Sequence, residues 1–326
     1  MGALAIATQQ VQLGRSFSTE PNIPKPTIDF GFREVEREQK VGLVGQVFSS
    51  VASSYDVMND LMSVGMHRLW KDQLVEALRP FPGMHHLDVA GGTGDVAFRV
   101  LRAIRAAEAH RPSSNTSPSP QGPGSSSRPG AGASPGSNNN SSPQGGQSGT
   151  NSGRGRGSVV VCDINAKMLE EGRKKALAAT DLAEELGVGL QFVEGNAEML
   201  PQFSDASFDS YTIAFGIRNV TDRAAALREA HRVLKPGGRF LCLEFSTVSQ
   251  PALRQLYDAY SFAVIPRIGG LVAGDEQSYQ YLVESIRQFP DQDVWAGMIE
   301  DAGFKAVGYE NILGGVVAMH HGYKLA

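Results

Sequence analysis

The turn Gly91-Gly-Thr-Gly94 has the residue types of a ligand-binding loop. It directly follows the short apolar stretch His86-Leu-Asp-Val-Ala90, and a helical pattern begins at about Val96. Glycines at this place let the turn tighten and let a ligand approach the main chain closely. Domains that bind NAD, FAD or S-adenosylmethionine all use such a turn, so the turn alone leaves these three ligands open.

The residues around the turn favour S-adenosylmethionine. A dinucleotide fingerprint reads G-x-G-x-x-G, and Gly92-Thr-Gly94 has only Ala97 to take the third position. Asp88 lies ahead of the glycines in the order acid-x-small-x-Gly-x-Gly, which is typical of methyltransferases. We therefore interpret Asp88, Gly91, Gly92 and Gly94 as part of a methyl-donor site, with an NAD-dependent oxidoreductase as the alternative on fold alone.

Asp163 ends a second apolar strand, Val159-Val-Val-Cys-Asp163, and is the expected ligand of the ribose hydroxyls. In such folds this acid follows the glycine turn by about 20 residues. Here Asp163 follows Gly94 by 69 residues, and removing the 46 residues of the low-complexity stretch 112–157 leaves 23. The corrected spacing supports the ligand role over a helix-capping acid and supports 112–157 as an insertion.

Asn196 and Ala197 follow a third predicted strand, in Glu194-Gly-Asn-Ala-Glu198. An asparagine here can hydrogen-bond the adenine amino group, while the alanine leaves room for the ring. An ordinary Asx-turn explains the same residues equally well.

These residues all belong to an alternation of strands and helices. The pattern predicts strands over 86–90, 159–163, 190–193, 208–215 and 239–245, helices over 69–78, 96–107, 166–179 and 223–234, a turn at 235–238, and extended stretches at 305–309 and 315–319. Such repeats predict an α/β fold with helices on both faces of a parallel sheet, whose ligands bind beyond the carboxyl ends of the strands.

The stretch 112–157 consists almost wholly of Ser, Gly, Pro, Asn and Gln, and we predict a disordered surface insert. Residues 1–40 are predicted to be a transit peptide and flexible segment, because 1–19 contain no acid; a plain disordered tail is the alternative. Residues 41–326 would then form one domain around the insert.

Bulk composition limits the function classes. A net charge of −4 and a pI of about 6.0 give no electrostatic footprint for nucleic acid. Cys162 and Cys242 lie in apolar runs and are predicted to be buried thiols. His320-His321 would point to opposite faces of a strand, so no metal site is predicted. No apolar run reaches the roughly 20 residues that span a bilayer, which leaves a soluble or peripheral protein.

Long motifs cover most of the chain outside 1–40 and the insert. They resemble signatures of the ubiquinone/menaquinone-biosynthesis C-methyltransferases and are Tyr55-Asp-Val-Met-Asn-Asp-Leu-Met-Ser-Val-Gly-Met-His-Arg-Leu-Trp70, Arg218-Asn-Val-Thr-Asp-Arg, Arg232-Val-Leu-Lys-Pro-Gly-Gly-Arg-Phe-Leu-Cys-Leu-Glu-Phe245, Tyr257-Asp-Ala-Tyr-Ser-Phe, Pro266-Arg-Ile-Gly and Phe289-Pro-Asp-Gln-Asp293. The resemblance implies a class I S-adenosylmethionine-dependent (Rossmann-like) fold, mostly parallel with an antiparallel C-terminal strand.

The resemblance is strongest to the mitochondrial coenzyme Q branch of this family. It implies C-methylation of 2-methoxy-6-polyprenyl-1,4-benzoquinol, peripheral attachment to the matrix face of the inner membrane and membership of a multi-subunit biosynthetic complex, with a homodimer left open. A plastid or menaquinone-type naphthoquinol methyltransferase and a noncatalytic scaffold are the alternatives.

The resemblance also implies site residues. Cofactor contacts are implied at Thr93, Asp163, Asn196 and Ala197. Ala214 stands where many relatives carry serine, so a hydroxyl contact near the cofactor, worth about 1 kcal/mol, would be lost.

Methylation of a quinol carbon requires that the neighbouring hydroxyl lose its proton. Arg218 stays protonated, so we expect it to stabilise the phenolate, directly or through a water, with Asn219 and Tyr55 orienting the substrate or that water. A structural salt bridge is the alternative role for Arg218. His67 is the alternative base, although helix packing explains it equally well.

Overall fold

The structure is a computed structural model that describes residues 27–52, 57, 59–60, 63–110, 155–263, 266–267, 270 and 276–325. The predicted leader at 1–19, Tyr55 and residues 112–154 of the insert lie outside these residues. The strands are β1 (Thr27–Phe30), β2 (Arg33–Glu36), β3 (His85–Val89), β4 (Ser158–Asp163), β5 (Leu190–Glu194), β6 (Phe208–Ala214), β7 (Leu234–Phe245), β8 (Lys305–Ile312) and β9 (Val317–Tyr323). The α-helices are α1 (Arg37–Val51), α2 (His67–Leu78), α3 (Asp95–Ala109), α4 (Ala166–Ala178), α5 (Thr180–Ala183), α6 (Arg223–Val233), α7 (Pro251–Ala263), α8 (Glu276–Arg287) and α9 (Gln292–Asp301).

Seven strands form one sheet in the order β5-β4-β3-β6-β7-β9-β8. Strand β9 is antiparallel to both of its neighbours, and the pairs among β3 to β7 are parallel. The predicted mostly parallel sheet with an antiparallel C-terminal strand is therefore confirmed. The chain moves from β3 outward to β4 and β5, then returns to place β6 on the other side of β3. This reversal creates a crevice at the carboxyl ends of the central strands.

The core lies on both faces of the sheet because side chains alternate along each strand. On β7, Phe240 and Cys242 pack into a cluster with α6 and α9, whereas Leu241 and Leu243 pack into a second cluster with α2, α3 and α8. Cys162 and Cys242 are both free and buried, as predicted. Burial raises the pKa of Cys162 to about 12, so this thiol stays protonated at neutral pH.

Residues 27–40, expected in the flexible N-terminal segment, instead form the β1–β2 hairpin and the start of α1. The ring of Phe30 stacks on Tyr281 of α8 at a centroid distance of 4.2 Å. Buried Phe30 and Val44 form a small cluster with that tyrosine. The hairpin escaped prediction because its four-residue strands carry only a short alternation of apolar and polar residues.

One carboxylate joins the described residues on the two sides of the insert. Glu108, near the end of α3, accepts hydrogen bonds from the backbone N–H groups of Gly83 at 3.1 Å and Gly157 at 2.7 Å. Residues 155–157, predicted to belong to the insert, are thus part of the fold. The Nη2 group of Arg105 also donates to the carbonyl of Gly157 at 3.0 Å.

The predicted turn at 235–238 is not a separate element. Strand β7 begins at Leu234 and includes a bulge opposite Phe208 and Ser210 of β6. Gly237 donates to the carbonyl of Lys324 at 2.6 Å, and Lys324 donates back to Gly238 at 3.0 Å. Pairing with the end of the chain after β9 therefore keeps these residues in the sheet. Among the residues that the structure describes, no helix is both long and apolar enough to cross a membrane.

Candidate cofactor site

A cavity opens at the carboxyl ends of β3, β4, β5 and β6, where the topology predicts a ligand. It encloses about 780 Å³ of empty space, part of it open to solvent. Its walls come from the glycine turn, from the residues after β4 and β5, from the segment after β6, and from α1. The predicted residues Gly92, Asp163, Asn196, Ala197 and Asn219 all line it.

Gly92 brings the main chain of the turn to the cavity wall. It adopts a positive φ of 54°, which a residue with a side chain rarely tolerates. A Cβ atom at this position would lie 3.0 Å from the Cε atom of Met168. Gly94, with a φ of 83°, then begins α3. The turn therefore needs these two glycines for its conformation.

Asp163 is the best placed of the predicted polar ligands. Its Oδ2 atom accepts from the N–H of Gly92 at 2.9 Å and its Oδ1 atom from the N–H of Asn165 at 2.8 Å. Burial raises the pKa of Asp163 to about 6, although these backbone hydrogen bonds act in the opposite direction. The side chain is therefore mostly ionised at neutral pH, held in one orientation, and able to accept further hydrogen bonds from hydroxyl groups.

Asn196 forms the Asx-turn that its sequence context allowed and also lies at the cavity wall. Its Oδ1 atom accepts from the N–H of Glu198 at 3.0 Å, which is an Asx-turn. Asn196 and Ala197 nevertheless both line the cavity. The Oε1 atom of Glu198 in turn accepts from the N–H groups of Thr221 and Asp222, each at 3.0 Å. This carboxylate joins the cavity wall that contains Asn196 to the segment that carries Asn219.

The polar side chain of Asp88 lies beneath the turn, outside the cavity lining. It is 1% exposed, and its Oδ1 atom accepts from the hydroxyl of Thr212 at 2.7 Å. Burial raises its pKa to about 7. A Cβ atom on Gly91 would lie 2.9 Å from Asp88 Oδ2, so Asp88 packs under the turn and is not part of the cavity lining, where the sequence suggested a direct cofactor contact.

Three further residues with expected cofactor roles also lie outside the cavity lining. The hydroxyl of Thr93 accepts from Lys175 Nζ at 3.1 Å and lines a different cleft. Gly91 is enclosed, since a Cβ atom there would lie 2.8 Å from Val161. Ala214 pairs with Leu243 and packs against the core. Gly94, outside the lining as well, serves the turn as described above.

Arg218 forms a buried ion pair, which is the arrangement considered as its structural alternative. Its Nη1 atom donates to Glu244 Oε1 at 2.8 Å and also to the carbonyl of Phe215. The side chains of Arg218 and Glu244 are 3% and 1% exposed. Burial raises the pKa of Glu244, and the Arg218 guanidinium opposes that shift. The Nε atom of Arg218 is buried without a hydrogen-bond partner among the described residues.

Asn219 lines the cavity next to this pair, in the short 3₁₀ segment Ile217–Asn219. Its Oδ1 atom accepts from the hydroxyl of Tyr281 at 3.0 Å. Tyr55, the third residue with an expected catalytic role, lies outside the described residues. His67, the alternative base, lines the cleft that contains Thr93 and has a pKa lowered to about 4, mainly by burial.

Several residues that shape the site were not predicted from the sequence. Glu244 carried a signal, because an acid in the apolar run Phe-Leu-Cys-Leu-Glu-Phe implies a buried cationic partner. Asn165 carried a local signal, because an asparagine directly before a predicted helix is a preferred N-cap. Its bonds to Gly45 and Ser49, like the bond of Tyr281 to Asn219, join residues distant in sequence and left no signal. Val41, Val44 and Phe48 of α1 also line the cavity. They were missed because they directly follow residues 1–40, which were predicted to be flexible.

Comparison with known proteins gives a consistent result. The ubiE/COQ5 methyltransferase family matches residues 33–324. A relative from Oryza sativa subsp. japonica, named 2-methoxy-6-polyprenyl-1,4-benzoquinol methylase, mitochondrial, is 52% identical over 91% of this chain and 88% of its own length. Proteins of the same name from Bos taurus and Homo sapiens are 52% and 51% identical over 91% of this chain, covering 83% and 84% of those proteins.

Proposed function

Because this chain belongs to the ubiE/COQ5 methyltransferase family, we propose that it methylates a ring carbon of 2-methoxy-6-polyprenyl-1,4-benzoquinol, a step in ubiquinone biosynthesis. It is an S-adenosylmethionine-dependent methyltransferase. One observation carries the proposal furthest: a single cavity is lined by Gly92, Asp163 and Asn196 on the cofactor side and by Asn219 on the other. The full-length similarity to relatives of that name supports this choice of acceptor.

The residues of the cavity fit S-adenosylmethionine. Asp163 offers an ionised oxygen to the ribose hydroxyls, and the glycine at position 92 leaves room beside it. Asn196 offers its carbonyl oxygen to the adenine amino group, and Ala197 leaves space for the ring. The apolar side chains of Ile164, Met168 and Val220 also line this part of the cavity. When bound, S-adenosylmethionine supplies a methyl group activated on a positively charged sulfur.

The chain's own residues must then prepare the acceptor. A quinol carbon becomes nucleophilic as its neighbouring hydroxyl loses a proton, and the developing negative charge needs a nearby donor. Arg218 cannot take that proton, because it stays charged. Arg218 is buried beside Asn219 and is not among the residues that line the cavity. Its Nε–H has no partner among the described residues, and we propose that this group stabilises the phenolate, directly or through a water. We propose that Asn219 and Tyr55 orient the acceptor or that water.

The names of the relatives support a mitochondrial location, and the family resemblance implies the membrane face and the partners. The relatives are named mitochondrial. We propose that this chain attaches peripherally to the matrix face of the inner membrane, within a multi-subunit coenzyme Q biosynthetic complex. Phe32 and Phe262, which are 56% and 36% exposed, stack at 6.0 Å and offer an apolar surface to a membrane or a polyprenyl tail.

Incubation with methyl-labelled S-adenosylmethionine and matched acceptors tests the proposal. We expect label in a short-chain 2-methoxy-6-prenyl-1,4-benzoquinol, with much less in a naphthoquinol of the same tail. Preferential labelling of the naphthoquinol would support the naphthoquinol methyltransferase instead. A noncatalytic scaffold would leave both acceptors unlabelled. An NAD-dependent oxidoreductase would bind NAD in a calorimetric titration, whereas we expect this chain to bind S-adenosylmethionine.

A further inference from the structure

Asn165 makes hydrogen bonds in three directions from the cavity wall. Its backbone N–H donates to Asp163 Oδ1, as described above. Its Oδ1 atom accepts from the N–H groups of Lys167 at 3.0 Å and Met168 at 3.3 Å, which caps the N-terminus of α4. Its Nδ2 atom donates to the carbonyl of Gly45 at 3.1 Å and to Ser49 Oγ at 3.0 Å. The residue is only 8% exposed, so these bonds are largely shielded from water.

The two bonds from Nδ2 reach α1, which forms one side of the cavity. Val41, Val44, Gly45 and Phe48 of this helix line the cavity together with Asp163 and Ile164. At its N-terminal end α1 is tied to the body by Arg37 and Asp222 at 2.9 Å, but their side chains are 46% and 32% exposed. A pair that exposed contributes little to holding a helix in place, so α1 is held by apolar packing of Val44 and Val51 and by the bonds from Asn165.

From this geometry we infer that Asn165 is a positioning residue that holds α1 against the cofactor cavity and so governs retention of S-adenosylmethionine. One residue connects three parts of the site: its backbone N–H binds the ribose-binding carboxylate, and its side chain binds both the start of α4 and the helix that lines one side of the cavity. A ligand in the cavity lies beside α1, so movement of α1 away from the body requires both Nδ2 bonds to break. The inference rests on the proposed function only in that this cavity holds S-adenosylmethionine.

The substitution Asn165→Ser separates the two roles of this side chain, which are capping α4 and binding α1. A serine still caps α4 through its hydroxyl but is too short to reach Gly45 and Ser49. Ser49→Ala removes one of the two bonds to α1 and leaves Asn165 itself intact. Asp291→Ser is the matched control, because Asp291 caps α9 in the same way and is not part of the cavity lining.

The experiment measures dissociation of S-adenosylmethionine by stopped-flow and hydrogen exchange of the α1 amides with cofactor bound. We expect Asn165→Ser to dissociate the cofactor about tenfold faster and Ser49→Ala about threefold faster, the scale of losing two and one neutral hydrogen bonds. Cofactor should slow exchange over 37–51 in the wild type and in Asp291→Ser, but much less in Asn165→Ser.

Two results would overturn the inference. One is wild-type dissociation and wild-type α1 protection in Asn165→Ser. The other is an equal acceleration in Asp291→Ser, because a general effect of weakened helix caps would then explain the loss. A wild-type protein that fails to bind S-adenosylmethionine would instead refute the cofactor assignment of the cavity, and the inference with it.

Discussion

The phenol of Tyr281 donates a 3.0 Å hydrogen bond to Oδ1 of Asn219, and both side chains are buried. The ring of Tyr281 also stacks on the ring of Phe30, in the N-terminal hairpin. Oδ1 of Asn219 already accepts the bond from Tyr281. The Nδ2 group of Asn219 is therefore the group that can donate a hydrogen bond to an oxygen of the quinol substrate. The N-terminal hairpin thus supports, through one aromatic ring, the orientation of an amide at the cavity.

Replacing Tyr281 by phenylalanine keeps the ring stack and removes only the hydroxyl. We expect kcat for the quinol to fall about five- to tenfold, the scale of one buried hydrogen bond, with no change in the Kd for S-adenosylmethionine. Steady-state kinetics and calorimetry measure the two quantities. Tyr309→Phe is the control, since Tyr309 is exposed and bonds Asp293 on the surface. An unchanged kcat would show that the amide needs no fixed orientation.

Cofactor affinity should depend on pH through Asp163. Its pKa is raised to about 6 by burial, so the carboxylate gains a proton as the pH falls through that value. The protonated form has lost accepting capacity toward ribose hydroxyls. We therefore expect S-adenosylmethionine to bind tightly above about pH 6 and progressively more weakly below it, by calorimetry. Asp163→Asn should bind weakly at every pH tested; a wild-type pH profile in that variant would contradict the assignment.

The Arg218–Glu244 pair should have separable structural and chemical roles. Arg218→Ala leaves the Glu244 carboxylate buried and uncompensated, so we expect a loss of about 3–5 kcal/mol in the free energy of unfolding. The double variant Arg218→Met with Glu244→Gln removes both charges and should recover most of that stability in denaturant titrations. Turnover should stay abolished in the double variant while cofactor affinity is retained. Recovery of turnover together with stability would leave Arg218 a purely structural role.

The insert should be dispensable for folding. Glu108 on one flank of the insert holds Gly157 on the other. Because each halving of a loop lowers its closure cost by about 0.6 kcal/mol, replacing 113–153 by a short Gly/Ser linker should raise the free energy of unfolding by about 1–2 kcal/mol. Methyl transfer should be retained. Glu108→Ala removes the acceptor for Gly83 and Gly157, and we expect it to cost about 1–3 kcal/mol. A deletion that unfolds the protein would contradict the placement of the insert.

Much of the sheet could be predicted from sequence because buried parallel strands and amphipathic helices have distinct periods. Strand β4 was predicted within one residue of its observed start, and the 23-residue spacing identified Asp163 across the insert. These inferences depend on local pattern and chain distance. The hairpin at 27–36 lacked such a pattern, since its stability comes from contacts such as that of Phe30 with Tyr281.

The site was predicted in its residue types more than in its contacts. Gly92 and Asp163 line the cavity as expected, whereas Asp88 and Thr93 make contacts beneath or behind the turn. Neighbouring residues of a turn can point in different directions, and the spacing of residues in the sequence does not predict which of them faces the cavity. Glu244, the partner of Arg218, lies 26 positions away on β7. The two residues become neighbours only when strands β6 and β7 pair in the sheet, so sequence spacing did not predict the contact.

The position of the transferred methyl group tests the proposed reaction most directly. The protein would be incubated with ¹³C-methyl S-adenosylmethionine and a short-chain 2-methoxy-6-prenyl-1,4-benzoquinol, and the product analysed by NMR. We expect a new methyl group bonded to a ring carbon, formed by the wild type and absent with the Arg218→Met, Glu244→Gln double variant. A labelled methoxy group, or no transfer by a protein that binds the cofactor, would contradict ring-carbon methylation.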